Sequence, residues 1–148
     1  MAIEEISTAS AVMSLARKLE EEGAGFYSAV AEKFSQHREL LAGLAKENKR
    51  FISQAESTYY SVISDALDGT FCFRLNPESF NFKQDLATGL TLAQALEQAI
   101  QIEVQTRQFY SQAAEQSKGL LADVPRVFLQ IAQKREARIA NLRSLAQA

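Results

Sequence analysis

The side chains in this sequence best placed for chemistry are two glutamates, Glu20 and Glu103, each followed seven residues later by a tyrosine, Tyr27 and Tyr110. Each glutamate interrupts an apolar stripe at helical spacing, so its carboxylate is expected to face a helix-packed interior. With a single histidine, His37, and a single cysteine, Cys72, the usual Cys/His zinc frameworks and an internal disulfide are both ruled out. Any metal would have to be held mainly by carboxylates. Two cations compete for the same interior, because Arg135 and Arg138 share a core-facing stripe with Ile131, Ile139 and Leu142.

Four helices must position these groups. Apolar residues recur at three- and four-residue steps in four stretches, which predict helices over about 8–35, 38–67, 91–117 and 124–146. Thr91 and Gln94 have the form of a capping box, Asp123 is placed to cap the last helix, and Pro125 is tolerated in its first turn. Asp68-Gly69 and Lys118-Gly119 supply stops. Each helix would be roughly 37 Å long. The short first and last connections force antiparallel hairpins, while the stretch 68–90 is long enough to cross the bundle from end to end, a ferritin-like connectivity. The halves also repeat. Glu20, Phe26, Tyr27, Ser28, Ala31 and Glu32 recur 83 positions later as Glu103, Phe109, Tyr110, Ser111, Ala114 and Glu115, and residues 41–45 align over 128–132. The fold expected is a single all-α domain over 1–148, a ferritin-like four-helix bundle.

The segments Lys18–Tyr27 and Ala99–Glu103 through Phe109-Tyr110 resemble the rubrerythrin family of ferritin-like proteins. The resemblance implies a Glu from each of the first and third helices and a Glu-x-x-His from each of the second and fourth, gathered around two irons. It places the retained carboxylates at Glu20 and Glu103, and the other ligand positions at Asn48 and Phe51 and at Arg135 and Arg138. Four of six ligands are therefore substituted. Using Glu47 or Glu136 instead supplies no histidine and turns the carboxylate by about 100° from the core stripe. Tyr27 and Tyr110 would lie near the centre, as core residues whose hydroxyls hydrogen-bond a carboxylate.

Guanidinium groups in place of cation ligands repel Fe²⁺ or Mn²⁺ and neutralise buried carboxylates. The expectation is an ion-pair cluster of Glu20, Glu103, Arg135 and Arg138, with Asn48 satisfying a leftover group. The favoured function is a non-catalytic structural or interaction role without a cofactor. One alternative is a carboxylate-bridged di-metal (di-iron, Mn or Zn) oxidoreductase, peroxidase or iron-handling protein, in which Glu20 and Glu103 would be the metal ligands. Another is small-ligand binding in the former metal pocket, with the arginines receiving a carboxylate or phosphate.

The remaining features point to ordinary roles. A formal charge of −2 with interspersed signs gives no reason to expect nucleic acid or an anionic membrane as partner. The acidic start Met1–Glu5 and the lack of a long apolar run lead to an expectation of cytoplasmic location. His37 is expected to face solvent in the first connection, and Cys72 to act as a small hydrophobe. The alternating residues 70–75 and 79–82 around Asn76-Pro77-Glu78 suggest a small hairpin. Its phenylalanines, Phe71, Phe73, Phe80 and Phe82, either plug the bundle or form an apolar patch, together with Tyr59 and Tyr60, for a homodimer or another partner.

Overall fold

The computed structural model describes residues 6–62, 71–75, 80, 89–117 and 124–147. A short strand β1 (Ile6–Thr8) runs directly into helix α1 (Ala9–Lys33), because extended Thr8 caps the helix and its hydroxyl accepts from the Ala11 amide at 3.2 Å. At the far end the Phe34 amide donates to the Val30 carbonyl at 2.9 Å, and the Arg38 Nε donates to the Ala31 carbonyl at 3.3 Å. A single 3-10 turn, Ser35–His37, then reverses the chain into α2 (Arg38–Val62). His37 is half-buried there rather than fully in solvent.

The second hairpin is made of α3 (Leu92–Ser117) and α4 (Val124–Gln147). Gly89 turns the chain in the left-handed region at φ +84°, and two residues later the capping box forms as the sequence predicts. The Thr91 amide donates to the Gln94 side-chain oxygen at 3.0 Å and the Gln94 amide donates to the Thr91 hydroxyl at 3.1 Å. Pro125 stands in the first turn of α4, where its missing amide hydrogen has no helical partner to lose. Asp68-Gly69, Lys118-Gly119 and Asp123, and the last turn expected of the second helix, lie outside the described residues.

The core shows how the helices run. One apolar cluster joins the start of α1 (Val12, Leu19), the end of α2 (Ala55, Tyr59), the end of α3 (Tyr110, Ala114) and the start of α4 (Val124, Phe128). A second joins the opposite ends, among them Val30, Leu41, Leu96 and Leu142. Hence α2 and α3 point the same way, and the chain between them must traverse the length of the bundle. The architecture is an all-α four-helix bundle with one long crossover. Among the described residues no helix is long and apolar enough to cross a membrane.

The crossover holds one described strand, and the second arm of the expected hairpin lies outside the described residues except for Phe80. Its strand β2 (Phe71–Leu75) pairs antiparallel with β1, with Ile6 opposite Leu75 and Thr8 opposite Phe71. The alternating pattern in β2 is therefore matched on one edge by the segment that enters α1, while Ser79, Asn81 and Phe82 lie outside the described residues. Two members of the supposed docking patch are also buried. Phe80 is 2 % exposed and meets the Phe109 ring edge to face at 5.5 Å, and Tyr59 is 3 % exposed in the same cluster. Both plug the bundle. The backbones of Phe71, Cys72 and Phe73 lie in β2, but their side chains, that of Tyr60, and Phe82 fall outside the described residues.

The capping box is expected to matter measurably to α3. Thr91→Ala should lower the free energy of unfolding by about 1 kcal/mol in urea titrations, with an unchanged denaturant slope.

Candidate functional site

Between the two apolar clusters lies one layer of buried polar side chains. On α1 the lower cluster ends at Leu19 and the upper begins at Ala24, with Glu20 between them. The same break contains Asn48 on α2, Glu103 and Thr106 on α3, and Arg135 and Arg138 on α4. Every one of these is below 5 % exposed. The retained carboxylates Glu20 and Glu103 and three of the four substituted ligand positions, Asn48, Arg135 and Arg138, are therefore brought together at mid-bundle.

Arg135 is the hub. Its Nη1 donates to both oxygens of Glu103, at 2.8 and 2.7 Å, and its Nη2 donates to Glu20 Oε1. The tyrosines cross between hairpins: Tyr27 on α1 donates to Glu103 Oε2 at 2.9 Å, and Tyr110 on α3 donates to Glu20 Oε2 at 2.6 Å. Arg138 closes the outer side, its Nη1 donating to Asn48 Oδ1 at 2.6 Å and to Glu103 Oε2 at 3.4 Å. Asn48 in turn donates through Nδ2 to the Glu20 backbone carbonyl at 3.4 Å. Thr106, one turn beyond Glu103, donates its hydroxyl to the Ile102 carbonyl at 2.8 Å.

Two residues have roles that the motif positions did not reveal. Phe51 is more than an apolar substitute for a histidine, since the guanidinium carbons of Arg135 and Arg138 lie 5.0 and 5.4 Å from its ring centroid. Its π face supplies a cation-binding wall in a desolvated setting. Glu47 does turn away from the centre, as its position on α2 dictates, and its side chain is 39 % exposed. Yet it still pairs with Nη2 of Arg138, because that long side chain passes out of the core between α2 and α4. The signal was the reach of arginine rather than the direction of glutamate. Glu136 stays 63 % exposed, 3.8 Å from Arg107, and takes no part.

Burial and charge pull against each other in this layer. Burial holds the Glu20 carboxyl above the ordinary carboxylate range, although Arg135 and the Tyr110 hydroxyl act in the opposite sense. For Arg135 burial disfavours the charge, but Glu103 and Glu20 outweigh it and keep the guanidinium well above its ordinary value. Burial, followed by the charge of Glu103 for Tyr27 and of Glu20 for Tyr110, pushes both phenols well above 10. The Nε atoms of Arg135 and Arg138 are buried without a hydrogen-bond partner, so the layer is well but not fully satisfied.

The donor set does not fit a di-metal centre. Oxygens of Glu20 and Glu103 that a bridging cation would need are already acceptors from Arg135, and the second and fourth helices contribute an amide, a phenyl ring and two guanidiniums. Among the described residues no three His, Cys, Asp or Glu side chains gather into a metal-holding group. Fold and site together define a helical bundle with a buried Glu/Arg/Tyr layer. No protein-family model, curated protein or solved structure matches the chain.

Two outcomes follow. Arg135→Met should cost about 3–5 kcal/mol in chemical denaturation by leaving buried carboxylates without their cation, and adding Glu20→Gln and Glu103→Gln should restore part of that loss. Alkali should also unfold the protein through the tyrosines. Their stabilising contribution is complete below the unfolded tyrosine value of about 10 and is lost as pH rises toward the higher folded values. Stability should fall by up to about 2.7 kcal/mol per pH unit in that range, and Tyr27→Phe or Tyr110→Phe should roughly halve the slope.

Proposed function

We propose that this chain is a ferritin-like, rubrerythrin-related protein in which an internal ion-pair layer has taken the place of a di-metal centre, and that it serves a non-catalytic structural or interaction role in the cytoplasm. The observation that carries this reading is the single guanidinium of Arg135 shared between Glu20 and Glu103. A cation that is part of the chain already occupies the electrostatic niche between the carboxylates, and a divalent ion would have to enter against two guanidiniums. Arg135 has both its Nη groups committed, which also argues against a ligand at the centre of the bundle. The family relationship rests on the shared pattern of Glu20 and Tyr27 with Glu103 and Tyr110, together with one long crossover.

The test is direct. Protein purified without chelator and then exposed anaerobically to Fe²⁺ or Mn²⁺ should bind no stoichiometric metal and show no shift in melting temperature. About two ions per chain with a stabilising shift would overturn the proposal and call for assays as an oxidoreductase.

A further inference from the structure

A groove with a volume of about 320 Å³ runs along the seam between α2 and α4, beside the outer end of the polar layer. Because the two helices are antiparallel, its ends differ in character. Leu40 and Leu44 from α2 and Leu142 from α4 line one end, and Leu40 is 44 % exposed. Glu47, Lys134 and Arg138 line the other. The volume lies near the lower bound of small-molecule sites, roughly 300 Å³.

The polar end carries two cationic side chains. Arg138 is 4 % exposed and its Nη1 is fixed inward on Asn48 and Glu103, so only its outer edge faces the groove side, where Glu47 sits. Its Nε is buried without a hydrogen-bond partner. Lys134 adds a second positive charge, held 5.7 Å from the Phe51 ring centroid and without an ion pair among the described residues. Arg138 and Lys134 thus share this end of the groove with one half-exposed carboxylate, that of Glu47. Glu47 occupies the place of a ligand's head group, and because its own side chain is 39 % exposed it can turn to water while another carboxylate takes over the buried Arg138, which is then never left without that partner.

We propose that the α2–α4 groove binds a small amphiphilic carboxylate, its tail against Leu40, Leu44 and Leu142 and its head on Arg138 and Lys134 in place of Glu47. Arg135 is not involved, so the site is separate from the centre of the polar layer. The proposal stands whether or not the chain binds metal.

Titration of the full chain with octanoate, monitored by calorimetry and by amide chemical shifts, tests it against two probes of equal chain length, octanol and octylammonium. One octanoate should bind per chain, with shifts confined to α2 and α4. Octanol, which leaves the cationic end unmatched, should bind at least about tenfold more weakly, and octylammonium should not bind. Glu47→Gln, which removes the internal competitor, should tighten octanoate by roughly three- to fivefold. Ala137→Trp, at an exposed position of the groove wall, should abolish binding while the circular dichroism stays that of the parent. No octanoate binding, equal affinity for octanol, or binding undiminished by Ala137→Trp would overturn the proposal. So would a concentration-dependent dimer that is broken by Leu40→Glu, since the groove would then be covered by a second copy.

Discussion

One guanidinium between two carboxylates organises this bundle. Arg135 comes from α4 and its partners from α1 and α3, so a single side chain ties three helices together inside a layer from which water is excluded. Such a layer adds little net stability relative to an apolar core of equal volume, because desolvation of the charges offsets their attraction. Its effect is on which arrangement the helices can adopt. Sliding one helix by a turn, about 5.4 Å, would part Arg135 from its acceptors and leave carboxylates buried alone. Leucine and alanine contacts above and below the layer tolerate such slips far better.

The tyrosines extend the same constraint across the repeat. Tyr27 and Glu103 belong to different hairpins, as do Tyr110 and Glu20. Each hairpin thus completes the hydrogen bonding of the other. Around Tyr110 the aromatic packing continues through Phe109 at 5.1 Å and Phe128 at 5.8 Å, which locks the phenol against the layer from the apolar side.

Much of this was readable in the residues. Helical periodicity located the four helices, and the capping pair Thr91 and Gln94 marked the start of α3 to the residue. The polar layer was legible because a glutamate inside an apolar stripe has nowhere to go but inward, and two arginines on the facing stripe supply the counter-charge. Less local features were not legible. The partner of β2 is separated from it by the whole first hairpin, and an alternating pattern says that a strand pairs without saying with what. For Phe80 the sequence leaves open a plug in the bundle or a surface patch, and it groups Tyr59 with the patch; tertiary packing buries both. Glu47 was missed because helical phase assigns a direction to its own side chain, whereas the contact depends on how far Arg138 extends.

The layer also bears on the history of the repeat. Extending the alignment of the second and fourth helices places Asn48 over Arg135 and Phe51 over Arg138. Two copies of the first hairpin would enclose two glutamates with no cation, and two copies of the second would enclose four guanidiniums around two carboxylates. Only the unlike pair balances. A site of this kind is closed to a symmetric assembly of identical hairpins, and the two halves could diverge into it only as distinct sequences, which a fused duplication provides.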